Sequence, residues 1–435
     1  MRLLYTILFP FVVLLYLPFY AVHCIRRGGL TRDFWERFGI FPAETKKRLK
    51  ALKAPVWIHA VSVGEAVEAL SFIQAWRARD PQLEIVFSCG TSTGFATARQ
   101  KLPPDVVAIY CPLDLWWMVW HALNLVHPRL LAILEVEIWP QLIRQTARRG
   151  IPVVLVNGRL SDRSSAGYAR WGFVFRKIFR SFSALCMQTP EDRQRLERVI
   201  GPDKRIHTVG TVKFDQVPDR AGSNVVATLA EAFGPESHPV FCVGSTHEGE
   251  EEPICQAFVA LQAAHPEWRM VLVPRHVERA AQVVKILEDC RLSWRSIRPV
   301  DGASPAAAGQ ASVLLANTTG QLMNFYQASD ICFVGKSLDG QNGGHNIIEP
   351  AIFGKAILYG PHMENFRQVH DIFQQEKAAL VLAGNHELPS ALRKLAEDRE
   401  MRETLGQNAR ATVEKHRGAI AKTLDIIESL PGQMG

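Results

Sequence analysis

Acidic side chains beside short apolar runs are the first candidates for chemistry in this 435-residue sequence. In His59-Ala60-Val61-Ser62-Val63-Gly64-Glu65 a predicted strand ends at a glycine turn and Glu65 opens the next helix. The helix dipole stabilises an acid in that place, and a carboxylate at the carboxyl edge of a strand can also serve as a general base. Glu135-Val136-Glu137-Ile138-Trp139-Pro140 sets two acids at the end of another strand, where burial is costly without a partner or a purpose. Cys89-Gly90-Thr91-Ser92-Thr93-Gly94 is a strand-to-helix loop of small polar residues, suited to an anionic group on an acceptor.

The second half of the chain carries anion-binding chemistry. Gly343-Gly344-His345-Asn346-Ile347-Ile348-Glu349-Pro350 follows a strand and a glycine-rich loop and runs into a short helix ahead of the next strand. Glycines let a backbone approach a ligand, a helix N-terminus offers free N–H groups to a phosphate, and a carboxylate one turn in can bond a ribose diol. A helix-capping turn is the structural alternative. Val273-Pro274-Arg275-His276 stands at a strand's carboxyl end, where a planar, bidentate cation would grip a phosphate, although a surface arginine alone has the same signature. Gly244-Ser245-Thr246-His247-Glu248-Gly249-Glu250-Glu251 also follows a strand, and its acidic tail suits the start of a helix.

These groups need a scaffold, and the apolar pattern supplies one. Runs at 56–61, 85–88, 107–111, 130–134, 153–157, 185–188 and 206–209 alternate with helical patterns and read as buried strands of a parallel sheet. A second series follows at 240–244, 270–273, 313–315, 331–334, 356–359 and 379–382. Residues 216–238 break the rhythm with prolines, glycines and polar residues. The expected architecture is α/β: an N-terminal anchor over 1–25, a Rossmann-like domain over 26–215, a linker over 216–238 and a second Rossmann-like domain over 239–435. Two doubly wound domains facing a cleft would bind ligands at the carboxyl ends of their strands.

Composition narrows the partners. The eight cysteines lie far apart without a Cys-x-x-Cys pair, which argues against a zinc site or a disulfide framework. Of a net charge of +7, an excess of six falls between Arg26 and Lys53, where nine basic residues face three acidic ones. That cluster follows Leu3 to Val22, an uncharged stretch of the length a membrane-crossing helix needs, though Pro10 and Pro18 weaken the helix. A cationic flank on that side places the remainder in the cytoplasm and suits anionic headgroups better than nucleic acid. A solvated connector and a cleaved signal peptide are the plainer alternatives.

Taken together, Trp35 to Gly39, His59 to Glu65, Glu135 to Pro140, Gly158 to Ser161, Lys213 to Asp215, Ser245 to Glu251, Val273 to His276, Gly343 to Glu349 and Gly360 to His362 resemble one family. It is the Kdo transferases of lipopolysaccharide synthesis, which add 3-deoxy-D-manno-octulosonic acid to the lipid A precursor. The resemblance implies an inverting glycosyltransferase of the GT-B type at the bacterial inner membrane, with CMP-Kdo as donor and lipid IVA as acceptor. It implies Glu65 as proton acceptor and Glu135 and Lys213 as transition-state stabilisers. Donor binding would fall to Pro274 and Arg275, to Thr319, Gly320 and Gln321, and to Asn346, Ile347, Ile348 and Glu349. Neither cofactor nor metal is called for. Three positions depart from the family pattern: Asn317 and Gln321 stand where acids are more usual, and Gln141 where asparagine is.

Three other functions share parts of this pattern. A lipid-directed GT-B enzyme using a UDP-sugar would keep the Gly343 loop. A nucleotide-sugar epimerase would keep the two domains but need no lipid acceptor. A non-catalytic membrane adaptor would be marked by loss of Glu65, Lys213 or Arg275, all of which are present.

Overall fold

The computed structural model describes residues 32–216, 225–303 and 305–431, together with Pro10 and Leu15. Apart from those two residues, the expected anchor lies outside this range. Among the described residues no helix is long and apolar enough to cross a membrane.

Runs of Val, Ile and Leu bounded by polar turns become two seven-stranded sheets. The first contains β1 (Val56–Ala60), β2 (Ile85–Cys89), β3 (Val107–Tyr110), β4 (Leu130–Leu134), β5 (Val153–Gly158), β6 (Ala184–Met187) and β7 (Ile206–Thr208). Its order is β3-β2-β1-β4-β5-β6-β7, and each paired neighbour runs parallel. The second contains β8 (Val240–Thr246), β9 (Arg269–Pro274), β10 (Trp294–Ser296), β11 (Val313–Leu315), β12 (Ile331–Val334), β13 (Ala356–Tyr359) and β14 (Leu380–Val381). Its order is β10-β11-β9-β8-β12-β13-β14, again parallel throughout.

Central strands such as β1, β4 and β12 are buried along their whole length, which is why they read as unbroken apolar runs instead of alternating ones. Every strand expected from the sequence is present to within two residues at each end. The one it did not reveal is β10, three residues at the sheet edge whose Trp294-Arg295-Ser296 carries little apolar signal.

The chain divides into two compact units, residues 1–216 with 417–435, and residues 217–416. The expected second domain over 239–435 therefore differs at both ends. The helix Ala419–Glu428 belongs to the first unit, because its stripe of Ala419, Ile420, Leu424 and Ile427 is buried in that unit's core beside Ala66, Ile73 and Val212. Asp215 fixes it there, its two oxygens accepting the N–H groups of Gly418 and Ile420 at 2.7 Å each. Within the expected linker, Val226–Phe233 is helical, and the N–H groups of Gly309 and Ala311 donate to its Glu231 and Ala232 carbonyls. Residues 217–224 of the linker lie outside the described range.

Candidate active site

Each sheet reverses its winding once, between β1 and β4 in the first unit and between β8 and β12 in the second. Loops leaving such a pair of strands part in opposite directions and leave a crevice for a ligand at the carboxyl ends.

In the first unit β1 leads into the Val63–Arg79 helix through a capping box, not a glycine turn. Ser62 Oγ accepts the N–H of Glu65 at 3.2 Å, while the Glu65 carboxylate accepts the N–H groups of Val61 at 2.7 Å and Ser62 at 3.2 Å. Gly64 lies inside the first helical turn, where the nearest neighbour of an added Cβ would be Ser62 Oγ at 3.7 Å. Each Glu65 oxygen keeps a further lone pair, so capping does not exhaust its capacity to accept a proton. Beneath it, Trp57 Nε1 donates to Ser88 Oγ at 2.7 Å, and that hydroxyl lies 2.9 Å from Nδ1 of His59. Complete burial lowers the His59 pKa to about 4, so its ring is a neutral part of the core.

Glu135 follows β4 directly and holds φ at 52°, a left-handed conformation costing a non-glycine residue about 1–2 kcal/mol. Lys213 lies on the 3-10 turn Val212–Asp215. The same edge gathers Glu68, a buried residue from the Val63–Arg79 helix that the sequence did not single out. Asn157 at the end of β5 donates to Glu68 Oε2 at 2.7 Å, and its own Oδ1 accepts the Val212 N–H at 3.2 Å, tying the Lys213 turn to the sheet.

Burial pushes Glu68 up to about 7, with Glu135 and Glu65 adding like charge and Lys213 opposing them. Burial, then Glu65 and Glu135, also carries Glu137 to about 7. Glu135 is raised by burial and by Glu65, against Lys213 and Arg159. Lys213 is lowered by its own burial although Glu68 and Glu135 pull it upward. Glu68, Glu135, Glu137 and Lys213 are thus all shifted near the end of β4, a pattern that concentrates at functional sites. Arg159, exposed in the Gly158 to Ser161 stretch, belongs to this group too.

Other expected positions turn out to be structural. The Thr91 hydroxyl donates to Val61 O at 2.7 Å and accepts the Gly94 N–H at 3.2 Å, so it is spent on the turn itself. Arg37 reaches this loop, donating to Gly90 O at 2.5 Å and lying 4.1 Å above the Tyr110 ring. The Gln141 backbone N–H donates to the buried Asp114 carboxylate.

In the second unit the carboxyl ends of β9, β8 and β12 carry Pro274 and Arg275, Ser245 to His247, and Lys336, and the loop after β11 carries Thr319 to Gln321. Glu250 is fully buried, and its carboxylate accepts the N–H groups of His247, Lys336, Ser337 and Leu338 at 2.7–3.2 Å. The next residue, Glu251, pairs with Arg279 through both oxygens at 2.7 and 3.2 Å. The acidic tail stands at the start of the Glu251–Ala264 helix, as expected, and Glu250 also clamps two loops. His247 and His345 face each other, Nε2 to Nε2, at 3.0 Å. Burial, reinforced by His247, Arg275, Lys336 and His276, lowers His345 to about 3.

The loop at Gly343 and Gly344 requires glycine, with φ of 116° and 64°. The helix after it, Ile348–Ala351, is short as expected, a single turn. Ile347 and Ile348 are fully buried and present no side chain to a ligand. Asn346 Oδ1 accepts the Ile348 N–H at 3.1 Å, and burial raises Glu349 to about 7 against the pull of Asn346 and Arg275. Asn317 spends its amide on Arg298, accepting from N–H at 2.8 Å and donating to C=O at 2.9 Å.

A family model described as 3-deoxy-D-manno-octulosonic-acid transferase (kdotransferase) matches residues 32–216. The 3-deoxy-D-manno-octulosonic acid transferase of Haemophilus influenzae is 31% identical over 374 residues, 86% of each chain. That of Bordetella pertussis is 32% identical over 420 residues, 94% of this chain and 95% of that one. Among solved structures, MurG of Acinetobacter baumannii gives a TM-score of 0.54 at 11% identity, over 87% of this chain and 100% of that chain. This last likeness concerns the fold alone, two parallel-sheet Rossmann-like units resembling those of GT-B glycosyltransferases.

Proposed function

Since the chain belongs to the 3-deoxy-D-manno-octulosonic acid transferase family and is a glycosyltransferase, we propose that it transfers Kdo from CMP-Kdo to a lipid A precursor, lipid IVA, with inversion at the anomeric carbon. The observation that carries this mechanism is the cluster of Glu65, Glu68, Glu135, Glu137 and Lys213 at the reversal point of the first sheet. Glu65, anchored by two backbone amides, takes the proton from the attacking hydroxyl. Glu135 offsets the positive charge that grows on the sugar ring, and Lys213 meets an anionic group of the donor.

Arg275 binds the donor phosphate, with the backbone of Pro274, of Thr319 to Gln321 and of Ile347 and Ile348 lining the nucleotide. Asn346 and Glu349 bond the ribose. The reaction takes place at the cytoplasmic face of the inner membrane, held there by the apolar segment at residues 3–22 and the basic stretch after it.

Membranes containing the protein, incubated with CMP-Kdo and the lipid A precursor, should yield a Kdo-bearing lipid resolved by mass. The Glu65→Gln variant should lose at least a hundredfold in rate while remaining folded and membrane-bound. A variant with near wild-type transfer would remove Glu65 as the base, and competition by UDP instead of CMP would redirect the donor.

A further inference from the structure

Lys336 stands two residues beyond β12, at the point where the second sheet reverses, and holds φ at 62°. A lysine is strained in that conformation and a glycine is not. The backbone is fixed from both sides, its N–H donating to Glu250 at 2.7 Å and its C=O accepting the Gly344 N–H at 2.9 Å. Neither contact uses the side chain, so glycine would serve the fold at least as well. The side chain is half-buried, and among the described residues its ammonium makes no ion pair.

Two arginines, Arg275 and Arg279, lie in its surroundings. Lys336 and Arg275 both act electrostatically on His247 and His345, with His276 beside them and Arg279 acting on His247. The neighbouring carboxylates are committed elsewhere, Glu250 to four amides, Glu251 to Arg279 and Glu349 to Asn346. A strained, unpaired cation among others, at a ligand crevice, calls for an anion that the protein itself does not provide. With the Ile348–Ala351 helix reduced to one turn, side chains must supply the neutralising charge.

The geometry points to Lys336 as a donor-binding residue, its ammonium donating to an anionic oxygen of CMP-Kdo, on the phosphate or on the sugar carboxylate. This rests on CMP-Kdo being the donor. The full-length, detergent-solubilised protein provides the test, with Kd for CMP measured by calorimetry and KM for CMP-Kdo by transfer.

K336G keeps both backbone contacts and removes the strain, so its melting temperature should hold or rise. Affinity should nevertheless fall roughly tenfold or more, as loss of one charge-assisted hydrogen bond implies. A fall for CMP and CMP-Kdo alike assigns the ammonium to the phosphate, and a fall confined to CMP-Kdo assigns it to the carboxylate. K336M, which keeps the strain and loses the charge, should show the same weakening without the thermal gain. Unchanged affinity for both ligands in both variants overturns the inference. Wild-type protein that binds no CMP and transfers no Kdo would overturn the choice of donor instead.

Discussion

Replacing Glu68 with glutamine should make the protein more stable, and only above acidic pH. Glu68 is 5% exposed, and burial with the charges of Glu135 and Glu65 carries it from an ordinary value of 4.5 to about 7. In the unfolded chain the carboxyl releases its proton near 4.5, while in the folded protein it holds the proton up to about 7. Between these values the folded state binds more protons, so linkage makes stability fall as pH rises through that window. Below it the carboxyl costs nothing, and above it the cost is complete. A displacement of that size corresponds to about 3 kcal/mol. Glutamine carries no charge and can still accept the Asn157 amide that now bonds Glu68 at 2.7 Å. The variant should therefore gain about 2–3 kcal/mol over wild type at pH 8 and little at pH 5. Urea unfolding followed by tryptophan fluorescence suits the purpose, because eight of the ten tryptophans lie in the first unit. An equal difference between variant and wild type at both pH values would show that Glu68 titrates normally and that its environment is not the one described.

Asn157→Ala should destabilise the first unit by about 3 kcal/mol, because it strands the Glu68 oxygen and the Val212 N–H in the interior and leaves alanine at φ 55°; urea midpoints measure it. Arg279→Ala should cost about 3–5 kcal/mol by leaving the fully buried Glu251 without its counter-ion, and calorimetry of the second unit's transition should show it. Glu135→Gly should hold or raise stability by up to about 1 kcal/mol, relief of the left-handed strain exceeding glycine's entropic cost, while Kdo transfer falls steeply. A stable Glu135→Gly protein with full activity would show that the strained acid serves no chemistry.

Much of the scaffold was legible because its signal is local. Fully buried parallel strands announce themselves as short apolar runs, so β1 to β9 and β11 to β14 follow from the sequence, and β10 escapes because its three residues lie at an edge. Glu65 and Glu135 stand out in the sequence because a strand end and an acid adjoin there. Glu68 does not, since its importance depends on Asn157, 89 residues away, and on the charges of Glu135 and Lys213. The same limit hid the roles of Glu250 and Glu251, which read as a helix-start acidic run until the backbone amides of Lys336, Ser337 and Leu338 fold over the first of them and Arg279 meets the second. The returning helix at Ala419–Glu428 shows an amphipathic stripe in sequence, but nothing local says which core the stripe enters.

The two units share one structural logic at the strand that follows the reversal of winding. Directly after β4 the chain places Glu135 at φ 52°, and two residues after β12 it places Lys336 at φ 62°. A parallel sheet fixes where its strands end, so the first residues beyond them are positioned with little freedom, and a left-handed turn there redirects the side chain that follows the strand. Glycine would make either turn at lower strain, yet one unit has a carboxylate and the other an ammonium. In the first unit the acid is raised by burial and by Glu65 and opposed by Lys213 and Arg159; in the second the lysine lies near Arg275 and Arg279. Each position thus sets a charged side chain where a ligand at the strand ends would meet it. On the function proposed above, an anionic donor would meet the lysine and a developing sugar cation the acid, which gives both strained turns one explanation.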